Sequence, residues 1–363
     1  MVGVAEVLVE VAQCGICGSD LHLISELAIA HYKLERPHVL GHEASGTVVQ
    51  KGKAVTHLSI GTTESAGRPS TISSRSLFKE GKKHLRKIHG FHSTYEGLTM
   101  KECGSPTAML RTHHDVYVDP GDRVAMEPGQ PCWDCDHCKS GRYHLCRTGI
   151  LHGIPHQDGF LRRRLAHPAE FCFNQDVRCD RIPETVSDQD GALVEPLAVG
   201  YWACRRAQVF PGARVLVLGA GKGVAHHFRH TQTYQILLAG PIGLCVLLNL
   251  KAAGAGYVVI TDVRDKSLQR AKTMGADACV QVSPKEDPAE VAKKLSPAMG
   301  DRRADITIDC VGFEHTMRTA IFATKAGGNV TIVGLGQHEV KLPILDAVFR
   351  EVDIRGVNRY PHW

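Results

Sequence analysis

The chain has 363 residues, 43% hydrophobic and 22% charged, an ordinary soluble composition with enough length for two cores. No run of eighteen apolar residues occurs and the opening MVGVAEVLVEVAQCGICGSD does not read as a signal peptide, so a cytoplasmic protein with no membrane partner is expected. The net charge of +5 sits in two stretches: residues 62–119 hold nine Lys/Arg against six Asp/Glu, and residues 222–240 hold Lys222 and Arg229 with no acid; the remainder is neutral, and no nucleic-acid surface is expected.

Residues 4–12 alternate apolar and polar around Val7, Val9 and Val11, which predicts a strand. GICGSD reads as a Gly-rich turn, VLGHEASGTVVQKG as a turn and a β-rich stretch, and PGDRVAMEPG as turn, strand, turn. Frequent Gly and Pro with short apolar runs point to a β-rich, barrel-like first domain over residues 1–196. From about residue 190 the pattern changes. ALVEPLAVGYWACRRA has helical spacing, RVLVLGAG is a buried strand ending in glycines, and PIGLCVLLNLKAAGA is an apolar helix. YVVITD, ACVQV, DITIDCVG and NVTIVGLG are strands, with SLQRAKTMGA a helix between the first two. Apolar strands alternating with helices predict a doubly wound parallel sheet over 197–345, an α/β fold. Residues 346–363 read as the start of a return to the first domain.

The strongest chemical signal is CWDCDHCKSGRYHLC, with Cys132, Cys135, Cys138 and Cys146 in C-x2-C-x2-C-x7-C spacing. Four thiolates on one loop suit a tetrahedral structural zinc. A c-type haem would need His directly after a C-x-x-C pair, and a bacterial ferredoxin a final x3 gap followed by Pro. Neither is present, since Asp136 and Lys139 follow the pairs and Arg147 follows the last cysteine. A second constellation is Cys17, His42 and Glu43, with Glu195 far along the chain: a thiol, an imidazole and carboxylates, the ligand types of a catalytic zinc with one open position. A third is the turn after RVLVL, where Gly219 and Gly221 would cradle a pyrophosphate at a helix N-terminus and Asp262 ends the next strand. A carboxylate there accepts from ribose hydroxyls and repels a 2′-phosphate, favouring NAD over NADP.

GICGSD, GHEASGTVV, PGDRVAMEPG, the four-cysteine loop, GALVEPLAVG, TIVGLG and REVDIRGV-RY occur in order. Together they resemble the zinc-containing medium-chain dehydrogenases of the polyol (sorbitol) branch. The resemblance implies a GroES-like catalytic domain and a Rossmann domain, with Cys17, His42 and Glu43 on the catalytic zinc and Glu195 at its water. It also implies Arg359 and Tyr360 on the polyol, and NAD lined by Ile242, Gly243, Asp262, Val333, Gly334, Leu335, Val357, Asn358 and Arg359. Ser19 and His22 are candidates to relay a proton to solvent, or simply turn residues. The reaction implied is oxidation of a polyol to a ketose with NAD, in a homo-oligomer, a tetramer by analogy.

Departures from the pattern are Leu23 for a substrate-contacting Tyr, Ser267 for an Arg after the ribose acid, and Asn358 for Phe. Set against the pattern, the chain reads as shortened at both ends. Residues 62–118 and 222–240 have no counterpart and read as insertions or translated introns. The second falls inside the glycine turn, so the sequence predicts that the helix loses its register against Gly219 and that NAD binds poorly. Another zinc alcohol or threonine dehydrogenase, or a mis-spliced non-catalytic product keeping the zinc sites, remain alternatives.

Overall fold

The computed structural model describes residues 2–29, 32–55, 118–155, 157–174, 185–221, 242–337 and 339–361. The stretch 62–118 apart from Val118, and all of 222–240, lie outside the described residues.

The N-terminal part runs β1 (Glu6–Cys14), α1 (Gly18–Glu26), β2 (Ala28–Ile29), β3 (Tyr32–Lys33), β4 (Ala44–Lys51), β5 (Arg123–Met126), β6 (Gly129–Gln130), α2 (Asp136–Lys139), β7 (Ile150–Leu151), β8 (Arg164–Pro168) and β9 (Cys172–Asn174). Five of these strands form an antiparallel sheet in the order β8-β1-β4-β5-β9. The alternation read from the sequence places Val7 and Val9 fully inside while Leu8 and Glu10 face outward. GICGSD is not wholly a turn: Gly18, Ser19 and Asp20 already belong to α1. The Asp20 carboxylate accepts the Cys17 backbone N–H at 2.8 Å, and an acid in a first helical turn is favoured by the exposed N–H groups there.

The C-terminal part opens with α3 (Asp188–Ala192) and α4 (Val194–Arg206), then alternates β10 (Arg214–Leu218), α5 (Ile242–Ala252), β11 (Tyr257–Asp262), α6 (Asp265–Thr273), β12 (Ala278–Gln281), α7 (Pro288–Leu295), β13 (Ala304–Asp309), α8 (Glu314–Ala323), β14 (Thr324–Ile332), α9 (Ile344–Phe349) and β15 (Asp353–Gly356). Its six strands are parallel, in the order β12-β11-β10-β13-β14-β15. Central strands are apolar throughout because both faces are covered. Val215 and Val217 of β10 join the core under α4 and α5, while Leu216 and Leu218 join the opposite core under α7 and α8. The strand order reverses between β10 and β13. In such sheets the crevice beyond the carboxyl ends at that point is where nucleotides bind.

The structure corrects one expectation. The first turn of α5 keeps its register on β10: a Cβ added to Gly243 would clash with the Gly219 carbonyl, lying 2.9 Å from its carbon and 3.5 Å from Ala220 Cα. Separation along the chain between Gly221 and Ile242 does not detach the helix. Its apolar face (Leu244, Val246, Leu247, Leu250) is buried against the sheet.

Candidate active site

Cys17, His42 and Glu43 converge, each offering one ligand atom within 4.8 Å of the others. Cys17 comes from the N-cap of α1, and His42 and Glu43 from the turn before β4. That turn is pinned by the Gly41 N–H, donated to Asp20 Oδ1 at 3.0 Å, with Gly41 at φ +90°. Gly15 leaves room for the Glu43 carboxylate, which a Cβ there would strike, and its N–H donates to Glu43 O at 2.7 Å. Ser19 Oγ lies 3.2 Å from His42 Nε2. His42 Nδ1 and Glu43 Oε1 are buried without a hydrogen-bond partner. Burial, and then the neighbouring Glu43, push the Cys17 thiol up, and burial raises the Glu43 carboxyl. A thiol, an imidazole and a carboxyl gathered within 4.8 Å, with a buried Glu43 oxygen left without a partner, describe a site that a cation would satisfy, so these residues fit zinc.

Glu195, at the start of α4, is buried and feels His42, Glu43, Glu127 and Arg359; burial carries its carboxyl up to about 8. His22 is turned to the outer side of α1, its Nδ1 3.2 Å from Glu26 Oε1. Leu23, at the position of the family's Tyr, is buried in the core.

The four cysteines of the second cluster also lie within 4.8 Å of one another. The Cys135 and Cys138 sulfurs are 3.4 Å apart, and those of Cys132 and Cys138 3.9 Å. Thiolates about 2.3 Å from a central zinc form a tetrahedron with edges of about 3.8 Å, so the spacing fits that ion. Backbone N–H groups of Asp134 and Cys135 bring the Cys132 thiol down to about 6, while burial pushes the Cys138 thiol up to about 12.

The expected nucleotide residues gather at the carboxyl ends of the parallel strands. Gly219 and Gly221 adopt φ +94° and +123° after β10, conformations that favour glycine. Asp262, ending β11, accepts the Ala220 N–H at 3.0 Å and the Arg264 N–H at 2.9 Å. Arg264 and Ser267 both donate to the Gly221 carbonyl, Ser267 at 2.8 Å. Val333 and Gly334 follow β14, with Leu335 exposed beyond them. Val357 follows β15, its N–H on Ile332 O at 3.0 Å.

The chain then returns to the first sheet. Asn358 Nδ2 and Arg359 Nη2 both donate to the His144 carbonyl, at 3.4 and 3.1 Å. Arg359 holds φ +46°, a conformation uncommon outside glycine. Tyr360 is buried and hydrogen-bonds Glu127. Glu127, Tyr143 and Asp20 received no role from the sequence. The one available signal for Glu127 is a carboxylate closing the apolar strand RVAM.

Comparison with known proteins agrees with this geometry. The zinc-binding dehydrogenase model matches residues 241–362, and the alcohol dehydrogenase GroES-like domain model matches residues 3–115 and 107–177. The sorbitol dehydrogenases of Mus musculus and Bos taurus are 36% and 37% identical over 358 residues, 99% of this chain and 76% of theirs. The chain belongs to the sorbitol dehydrogenase family. That of Arabidopsis thaliana is 34% identical over 360 residues, 99% of this chain and 75% of its own. Among solved structures, a Sinorhizobium meliloti protein of the zinc-binding dehydrogenase type, bound to NADP, is 25% identical with a TM-score of 0.68, covering 99% of this chain and 79% of that one. An Escherichia coli oxidoreductase involved in membrane biogenesis is 27% identical with a TM-score of 0.69, covering 100% and 79%. The GroES-like and Rossmann architecture expected from the sequence is borne out, and the chain is a zinc-dependent medium-chain dehydrogenase of the sorbitol dehydrogenase family.

Proposed function

We propose that the chain oxidises a secondary alcohol of a polyol, of the sorbitol or xylitol type, to a ketose with NAD+, using a zinc held by Cys17, His42 and Glu43. The observation that carries this reading is the buried convergence of a thiol, an imidazole and a carboxyl beside Glu195, with an unpartnered oxygen on Glu43. When bound, zinc supplies a Lewis acid that acidifies a hydroxyl, and NAD+ accepts hydride. Glu195, buried beside this set with its carboxyl raised by burial, would hydrogen-bond a water or hydroxyl there. Ser19 Oγ orients His42. With His22 it forms the candidate path for a proton to solvent, although His22 is engaged by Glu26. Arg359 and Tyr360 bind the outlying hydroxyls that separate a polyol from a simple alcohol.

Asp262 supports NAD by its charge at the ribose position. A second reading of the cofactor rests on Arg264, whose guanidinium lies 3.7 Å from Asp262 Oδ1 and could face a 2′-phosphate. Cys132, Cys135, Cys138 and Cys146 would hold a second, structural zinc. The test is turnover by the purified chain of sorbitol, xylitol, 2,3-butanediol and threonine with NAD+ and NADP+. Polyols with NAD+ are expected to be preferred, and His42→Ala to abolish turnover while NAD+ affinity survives. Preference for threonine or butanediol, or a turning-over His42→Ala, contradicts the reading.

A further inference from the structure

We propose that Glu127 is a positioning residue that presents Arg359 and Tyr360 to the polyol. The inference rests on the polyol reading above and adds to it a residue that the sequence left without a role.

Glu127 directly follows β5 and is 4% exposed. Its backbone is fixed on both sides. Its N–H donates to Phe171 O at 2.9 Å, and its carbonyl accepts from Nε2 of the fully buried His167 at 3.0 Å. Its carboxylate therefore emerges from a rigid point. One oxygen accepts the Gly129 N–H at 2.9 Å, Tyr360 and Tyr143 hydrogen-bond the carboxylate, and Arg359 faces it. A buried carboxylate is costly unless charge and donors surround it; here Tyr360 and Arg359, the two residues expected to touch substrate, supply part of that compensation beside Tyr143 and the Gly129 N–H.

Gly129 shows how closely the group is packed. A Cβ on it would come 2.5 Å from Arg359 Nη1 and 2.8 Å from Glu127 Oε1, so guanidinium and carboxylate share the space a side chain would fill. Arg359 also carries left-handed backbone geometry at φ +46°, which persists only where surroundings impose it. Its Nη2 is tied to His144 O, while its Nη1 and Glu127 Oε1 border the same small space over Gly129. Glu195 feels the same guanidinium, so Arg359 acts electrostatically on both buried carboxyls.

A carboxylate that only satisfies Gly129 N–H would affect folding; one that positions Arg359 and Tyr360 affects polyol affinity. Two variants separate these roles. Glu127→Gln keeps the shape and an acceptor for Gly129 but removes the charge. Gly129→Ala keeps the charge but drives a methyl into Arg359 Nη1. For each, kcat and KM for sorbitol, the Kd for NAD+ by calorimetry and the thermal midpoint are measured on the zinc-loaded chain. Both variants are expected to raise sorbitol KM about tenfold or more, with kcat within about threefold and NAD+ affinity weakened by less than about threefold. An unchanged KM in folded variants overturns the assignment, as does a parallel loss of kcat and NAD+ affinity. If Glu127→Gln fails to fold, Gly129→Ala decides alone. A wild-type chain that binds NAD+ yet neither binds nor oxidises sorbitol or xylitol overturns the polyol reading itself, and this inference with it.

Discussion

Replacing Gly243 with alanine tests whether α5 is seated on β10 as the structure has it. The new methyl would lie 2.9 Å from the Gly219 carbonyl carbon and 3.5 Å from Ala220 Cα, with the carbonyl oxygen closer still. Carbon atoms pack at about 3.5–4.0 Å, so the helix would have to retreat by on the order of 1 Å. Leu244, Val246, Leu247 and Leu250 would move with it, out of a filled core. Overpacking of this kind costs about 1–3 kcal/mol. In a helix free of the strand the same change would gain up to about 1 kcal/mol, because alanine is the better helix former. The sign of the effect therefore discriminates. Urea unfolding should place Gly243→Ala about 1–2 kcal/mol below wild type, and calorimetry should show NAD+ affinity weakened about tenfold or more, since the turn's N–H groups act only at hydrogen-bond range. A variant more stable than wild type would refute the docked helix. It would restore the view that the stretch between Gly221 and Ile242 breaks the turn.

Cys135→Ser should lower the zinc content of the purified chain by about one equivalent per chain and the thermal midpoint by about 5 °C or more; unchanged metal content would remove the four-cysteine assignment. His167 is held neutral by burial, its pKa brought to about 3 from 6.5. The folded state therefore binds fewer protons than the unfolded one, and its contribution is complete above about pH 6.5 and drains away as pH falls toward 3. The contribution is on the order of 5 kcal/mol at most, and His167→Gln, which keeps a donor toward Glu127 O, should flatten that acid limb of the midpoint-against-pH curve. An unaltered slope would contradict the role of this imidazole. Turnover with NAD+ should exceed that with NADP+ about tenfold or more, because a 2′-phosphate would meet Asp262. Asp262→Asn should narrow the gap, and equal efficiency in the wild type would favour the Arg264 reading.

Most of the parallel sheet was legible because its signals are local. RVLVL and YVVITD are unbroken apolar runs, and the structure buries them on both faces. The four-cysteine loop was legible for the same reason, its spacing lying within one short segment. GICGSD was read as a turn because its glycines outweighed Asp20, whose carboxylate starts a helix through a single bond to Cys17 N–H. The local signals for the start of α7 are Asp287, which caps it, and Pro288, which begins it. The register of α5 could not be read along the chain, since a carbonyl accommodated by a missing Cβ is a contact in space. Glu127 stayed silent because Tyr143, Tyr360 and Arg359 reach it from distant parts of the chain.

The central claim is metal-dependent, NAD-linked polyol oxidation at Cys17, His42 and Glu43. It is tested most directly by following NADH formation from sorbitol and xylitol as the purified chain is stripped by a zinc chelator and then given zinc back. The account predicts turnover that is lost on chelation, regained with zinc, and absent from His42→Ala throughout. Turnover that survives removal of the metal, or a zinc-loaded chain that binds NAD+ yet oxidises neither polyol, would contradict it.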